Sequence, residues 1–138
     1  MAPEWEDFVS GRGLGRLYDY FRQLSGTKTA ATSIDGLVDA ALGGEQEAQQ
    51  ALTMHYRYLA RCTQSVCVAL QLTSVVWAGD NAVHNAPWLK KGDNSLCVYE
   101  EFQLHSKPNF VQAPLFLQTT LYNFNLNGAL FIASTRKN

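Results

Sequence analysis

The chain has 138 residues, the length of one domain, and a composition of 46% hydrophobic and 17% charged residues that is typical of a soluble protein. Eleven Lys and Arg against twelve Asp and Glu give a net charge of −1 with no basic run, which argues against nucleic acid as a partner. The three cysteines show no Cys-x-x-Cys spacing, which favours reduced thiols over a disulfide framework. We recognise no signal peptide and no apolar stretch of membrane-spanning length. The sequence therefore predicts an intracellular protein that is not inserted in a membrane.

Three helices are predicted in the first half of the chain. The first runs from about Gly13 to Ser25, because its apolar residues repeat at helical spacing and Gly26 follows them. The second begins after Ser33, a suitable N-cap, and stops at residues 43–44, which are both glycine. The third covers residues 45–72 without Pro or Gly and carries one apolar stripe. The members of this stripe are Ala48, Ala51, Leu52, His55, Leu59, Cys62, Val66 and Leu70.

The apolar pattern changes from helix to strand in the second half. Residues 74–79 are rich in β-branched and apolar side chains and stop at Gly79, Asp80 and Asn81, as in a buried parallel strand that ends in a turn. The other predicted elements are one helical turn over 83–89, a polar loop over 90–95, a helix over 96–105, a second apolar strand over 113–118 and a final helix over 126–134.

These elements do not make a complete α/β domain. Two parallel strands surrounded by helices cannot form a covered sheet, because isolated strand pairs are marginal and parallel pairing needs both faces buried. We therefore expect residues 1–138 to be a fragment, the C-terminal part of a larger, helix-rich α/β enzyme.

Three segments carry a resemblance to a known family. Residues 6–18 (EDFVSGRGLGRLY) resemble a Glu-x-x-x-Ser-Gly-Pro-Gly-Leu-x-x-Leu-Tyr pattern that enters a helix. Residues 75–81 (VVWAGDN) are similar to an apolar strand followed by a Gly-Gly turn, and residues 126–130 (LNGAL) to a last helix that starts with small residues. All three belong to the C-terminal two-fifths of the bacterial-type glucokinases, a group that includes the trypanosomatid glucokinases and has the actin-like (RNase H-like) sugar-kinase fold.

The resemblance implies an enzyme that uses ATP and Mg²⁺ to phosphorylate the 6-hydroxyl of glucose. Glu6 matches a family carboxylate that hydrogen-bonds sugar hydroxyls, since its two oxygens can serve neighbouring hydroxyls. Gly79, Asp80 and Asn81 match the turn that meets the adenosine, where a glycine lets the backbone approach closely. The implied location is the cytoplasm, or the glycosome in a trypanosomatid, although residues 134–138 carry no targeting signal that we recognise.

Parts of the family pattern differ or do not occur here. Arg12 stands where the family has proline, and Asp80 stands where the turn has its second glycine. The family's phosphate loop, the Asn-Asp pair with the catalytic base and the Glu-x-x-His sugar motif do not occur, and phosphoryl transfer needs such groups. We therefore expect this chain to be inactive by itself and to need its N-terminal half, which holds most of the ATP and Mg²⁺ contacts, or self-assembly. The alternative is a non-catalytic, kinase-derived module that binds a nucleotide or a protein.

The candidate residues also have plainer interpretations. Glu6 is then a solvated carboxylate, residues 79–81 are an ordinary turn, and residues 11–15 (GRGLG) are a tight helix entry rather than a phosphate loop. Trp5 is expected to pack against the domain rather than to stack on a sugar. The other residues expected to pack in the core rather than to bind a ligand are His55, Cys62, Cys67, Trp77 and Trp88.

Overall fold

The computed structural model describes residues 4–27, 34–104 and 115–117. Within these ranges the elements are α1 (Glu6–Val9), α2 (Gly11–Leu24), α3 (Leu37–Leu42), α4 (Gln46–Leu70), β1 (Val75–Trp77), α5 (Asp80–Leu89), α6 (Asn94–Gln103) and β2 (Leu115–Leu117). The expectation of a helix-rich α/β protein is confirmed. The predicted N-cap Ser33 and the predicted final helix over 126–134 lie outside the described residues. No helix among the described residues is long and apolar enough to span a membrane.

The long helix α4 is the centre around which α1, α2, α3 and α6 pack. The first half of its predicted stripe is confirmed, since Ala48, Ala51, Leu52 and His55 are all buried. The second half of the stripe is only partly confirmed: Leu59 packs against the core and Cys62 is half-buried, but Val66 and Leu70 are exposed. The fully buried positions in this region are instead Tyr56, Ala60 and Cys67.

Hydrogen bonds at the C-terminal half of α4 account for this change of face. The Thr63 hydroxyl accepts a hydrogen bond from Trp77 Nε1 at 2.9 Å. Gln64 Nε2 donates to the carbonyl oxygens of Phe102 and Leu104, each at 2.9 Å. These bonds hold α4 against β1 and the end of α6, so the neighbouring row of side chains enters the core.

The two strands form a parallel pair in which Val75 lies opposite Leu115 and Val76 lies opposite Phe116. Parallel pairing confirms the prediction from the two apolar runs. Burial is one-sided, however, because Trp77 and Leu115 are in the core while Val76 and Phe116 are more than half exposed. The described residues place no layer on the second face of this strand pair, which agrees with the expectation that these elements do not make a covered sheet.

Helix α5 is longer than the single predicted turn. It begins at Asp80 directly after the strand and continues through Pro87 to Leu89. The difference lies at its N-terminal end, because residues 80–82 precede the predicted range and the predicted turn residue Gly79 is the N-cap of the helix. The predicted polar loop over 90–95 shrinks accordingly to a turn before α6, and Lys91 Nζ of that turn donates to the Leu42 carbonyl at 2.9 Å.

The residues expected in the core differ in how deeply they are buried. His55, Cys67, Trp77 and Trp88 are buried as predicted. Cys62 is only half-buried. Trp5 is 47% exposed, so the expectation that it packs against the domain is wrong.

Candidate functional site

A corner between α1 and α2 presents Glu6 to the solvent. Ser10 adopts an extended conformation between the two helices, and its Oγ accepts a hydrogen bond from the backbone N–H of Gly13 at 3.0 Å. The same hydroxyl donates to the carbonyl oxygen of Glu6 at 2.7 Å. Ser10 is therefore the N-cap of α2 and also ties α2 to the residue that carries the candidate sugar contact.

Gly13 makes this corner tight. A Cβ added to Gly13 would lie 2.7 Å from the Asp7 carbonyl oxygen and 2.8 Å from the Phe8 carbonyl carbon, both of them backbone atoms. Only glycine allows this close approach of the two helices. Residues 11–15 are the first turns of α2, which confirms that they are a tight helix entry and not a phosphate loop.

The underside of the corner rests on α4. The ring of Phe8 lies 4.8 Å from the ring of Tyr58 between centroids. The buried His55 makes a hydrogen bond of 2.9 Å between its Nδ1 and the carbonyl oxygen of Phe8. Burial lowers the pKa of His55, and the hydrogen bond to Phe8 raises it by a smaller amount. The imidazole is thus favoured in its neutral form, with Nδ1–H as the donor to the carbonyl.

Charged side chains surround a cavity of about 150 Å³ above the corner, lined by Glu4, Glu6, Asp7, Ser10, Arg12 and Arg16. Arg12 Nη2 lies 3.3 Å from Glu6 Oε1, and both side chains are mostly exposed. Arg16 pairs with Asp7. The pKa of Asp7 is lowered, first by the hydrogen bond from the Glu4 backbone N–H and then by Arg16. Glu6 and Asp7 therefore each have a cationic partner on the first turns of α2.

The other candidate residues lie where β1 leads into α5. Gly79 is the N-cap of α5, with φ 115° and ψ 174°, a backbone conformation that is essentially restricted to glycine. Asp80 and Asn81 form the first turn of α5 rather than an ordinary turn after the strand, and all three residues are exposed. A Cβ added to Gly79 would meet no atom of the described residues within 4 Å, so on its Cβ side no described side chain covers this glycine.

The structure brings these two groups together. A Cβ added to Gly11, at the start of α2, would lie 3.4 Å from Asn81 Nδ2 and 3.8 Å from Asn81 Oδ1. The start of α2, beside Glu6, and the start of α5 therefore border one surface region. Gly11 was not selected from the sequence as a site residue, and no local spacing could have revealed its contact with Asn81.

The corner contains two further contributors that sequence reasoning did not assign. In the sequence Arg12 is visible only as a residue that replaces the family's proline. Its ion pair with Glu6 joins α2 to α1 across the bend at Ser10, and no periodic pattern predicts such a bend. His55 was expected only as a core residue, and its bond to Phe8 joins distant parts of the sequence. Among the described residues no group of three or more His, Cys, Asp or Glu side chains could hold a metal ion.

Comparison with known proteins gives consistent results. The glucokinase family model matches residues 4–93. Glucokinase 1 and probable glucokinase 2 of Trichomonas vaginalis are each 31% identical over 137 residues, which is 96% of this chain and 36% of theirs. The chain thus spans about a third of the length of these curated relatives.

Solved structures show the same similarity in three dimensions. The crystal structure of the Balamuthia mandrillaris glucokinase in complex with glucose matches with a TM-score of 0.85 and 31% identity, covering 97% of this chain and 37% of that one. The Leishmania braziliensis glucokinase matches with a TM-score of 0.83 and 26% identity over 97% of this chain and 35% of that one. These matches identify the fold as that of the sugar kinases, and they favour a glucokinase over the non-catalytic module. The chain belongs to the glucokinase family.

Proposed function

We propose that this chain is the C-terminal part of a glucokinase, which transfers a phosphoryl group from ATP to the 6-hydroxyl of glucose. Within the enzyme, Glu6 binds sugar hydroxyls, and Gly79, Asp80 and Asn81 form one wall of the nucleotide site. The remainder of the enzyme provides the phosphate loop, the catalytic base and the Mg²⁺ site, and the complete protein works in the cytoplasm. Family membership and the site geometry support this proposal.

The position of Glu6 is the observation on which the proposal rests. Its carboxylate is exposed beside a cavity, while its backbone is fixed by Ser10 and by the close packing of Gly13. A carboxylate offers two acceptor oxygens to neighbouring hydroxyls, and hydrogen bonds to a charged acceptor are stronger than neutral ones. A rigid corner with an accessible carboxylate is therefore suited to binding a polyol.

The start of α5 suits the sugar and base portions of a nucleotide. On the Cβ side of Gly79, where no described residue lies within 4 Å, a ligand can approach the backbone closely. Asp80 is in the first turn of α5, where the helix dipole favours a negative charge. Because a carboxylate repels phosphate, Asp80 is expected to accept a hydrogen bond from a ribose hydroxyl, leaving the phosphates to the other half of the enzyme.

The test requires a complete enzyme. The chain would replace the matching 37% of the Balamuthia mandrillaris glucokinase, with which it shares its fold, and we call this chimera the reconstituted enzyme. Glucose-dependent production of ADP is expected from the reconstituted enzyme. A chimera that folds by circular dichroism and thermal unfolding but produces no ADP would contradict the proposal.

The substitution Glu6→Gln in the reconstituted enzyme tests the sugar contact. Loss of a hydrogen bond to a charged group costs about 1.5–3 kcal/mol, so the KM for glucose is expected to rise roughly 10- to 100-fold. Glu4→Gln is the matched control, because Glu4 lines the same cavity and the chemical change is the same. An unchanged KM for Glu6→Gln, or an equal rise for both variants, would remove Glu6 from the sugar site.

A further inference from the structure

We infer that Arg12 is a positioning residue for Glu6 and thereby increases the affinity of the enzyme for glucose. The inference rests on the proposed function, because it assigns a role to Arg12 only if Glu6 binds the sugar. Arg12 lies in the first turn of α2, across the corner from Glu6, and its Nη2 is 3.3 Å from Glu6 Oε1. The guanidinium thus holds one oxygen of the candidate sugar-binding carboxylate.

The geometry of this contact leaves room for a sugar. The ion pair consists of one contact to Oε1 rather than a two-bond fork, so Oε2 and further lone pairs remain available. Both side chains are mostly exposed, with 74% of Arg12 and 70% of Glu6 accessible, so sugar hydroxyls can reach the carboxylate. Arg12 therefore orients Glu6 without blocking it.

The neighbouring ion pair shows why this role belongs to Arg12 in particular. The Asp7 carboxylate has two anchors, Arg16 and the backbone N–H of Glu4 at 3.0 Å. Within the part of the chain that the structure describes, the Glu6 carboxylate is held by Arg12 alone. Without Arg12 the Glu6 side chain would sample its rotamers freely, and sugar binding would have to order it.

The experiment compares variants of the reconstituted enzyme by steady-state kinetics with glucose. Arg12→Gln removes the charge but keeps a helix-compatible side chain, and the KM for glucose is expected to rise about three- to tenfold, the effect of ordering one flexible side chain. The value of kcat should change less than twofold. Arg12→Lys retains the positive charge on a more flexible side chain and should recover part of the loss. Arg16→Gln is the matched control and should leave KM unchanged, because Asp7 keeps its backbone anchor.

Ionic strength provides a readout that a merely structural role would not change. Salt screens exposed charges, so the KM of the unsubstituted enzyme should rise between low and high salt more than that of Arg12→Gln. Equal salt dependence in both proteins would overturn the inference. So would a KM for Arg12→Gln that matches Arg16→Gln, or one that falls, since a fall would mean that Arg12 competes with the sugar.

The variant Glu6→Gln separates this inference from the proposed function. If Glu6→Gln leaves KM unchanged, the sugar contact itself is refuted, and the role of Arg12 with it. If Glu6→Gln raises KM while Arg12→Gln and Arg12→Lys do not, only the role of Arg12 is refuted. Because KM does not depend on the fraction of folded enzyme, partial misfolding of a variant would lower kcat without producing either pattern.

Discussion

Gly13 has no Cβ atom, and this absence allows α1 to approach α2 closely. In Gly13→Ala the added Cβ would overlap backbone atoms of Asp7 and Phe8, which cannot move without shifting α1. Alanine is the better helix former by about 1 kcal/mol, whereas overpacking costs about 1–3 kcal/mol and occasionally more. The upper end of this range applies here, because the atoms in the way belong to the backbone. We expect Gly13→Ala to lower the free energy of unfolding, measured by urea denaturation, by about 2 kcal/mol.

Gly15 provides the matched control for Gly13, since both lie in α2. A Cβ on Gly15 would make an ordinary contact of 3.4 Å with Ile34 Cγ2. The helix propensity of alanine should then dominate, and Gly15→Ala should be neutral or stabilising by up to about 1 kcal/mol. Equal destabilisation by both substitutions would show that the tight corner is not the reason for glycine at position 13.

At the scale of elements, a buried carboxylate joins α6 to α4. Glu101 is 5% exposed; its Oε2 forms an ion pair with Arg57 Nε at 3.0 Å, and its Oε1 accepts a hydrogen bond from Arg61 Nε. Both arginines lie on α4 and are about half exposed, so they remain hydrated when the carboxylate is removed. The main loss on substitution is therefore that of the hydrogen bonds to the buried charge.

We expect Glu101→Gln to lower the free energy of unfolding by about 2 kcal/mol, the loss typical of hydrogen bonds to a charged group. Urea denaturation of the chain measures this effect. Glu100→Gln is the matched control, because Glu100 is the exposed neighbour on the same helix. If both substitutions have the same small effect, the two ion pairs do not stabilise the packing of α6 on α4.

Periodic elements were predictable from the sequence, and short or interrupted ones were not. The range of α4 follows from its uninterrupted apolar spacing, to within a few residues. The four residues of α1 are too few to show a period, so this helix was missed. Helix α5 begins three residues before the predicted range, because the Gly-Asp-Asn sequence at 79–81 is a local signal for a turn whereas these residues start the helix.

At the scale of the whole molecule, the candidate site depends on contacts that sequence spacing does not contain. The pattern around Ser10 indicated a helix entry near Glu6, and the apolar run before Gly79 indicated a strand that leads to a ligand. Only the fold shows that Gly11 and Asn81 are neighbours. The incomplete sheet expected from the sequence agrees with a chain that spans about a third of its relatives, while its place at the C-terminal end of the enzyme stays a prediction.

The stability of the whole fold should respond to pH through His55. Burial lowers its pKa in the folded protein below the value of 6.5 that it has in the unfolded chain. Below pH 6.5 the unfolded chain therefore binds more protons at this residue than the folded protein does. The contribution of neutral His55 to the free energy of unfolding is fully present above this pH. It decreases as the pH falls towards the folded-state pKa and stays constant below that pKa. Asp7, whose ordinary pKa is 3.8, titrates at lower pH and does not confuse the result.

We expect the free energy of unfolding from urea titrations between pH 7.5 and pH 5 to decrease by at most about 1.4 kcal/mol per pH unit, the limit for one proton. His55→Gln should remove this decrease, because a glutamine amide can still donate to the Phe8 carbonyl but does not titrate. His84→Gln, on the exposed surface of α5, is the matched control and should retain it. If His55→Gln keeps the pH dependence of the unsubstituted chain, the corner that carries Glu6 does not rest on a neutral imidazole.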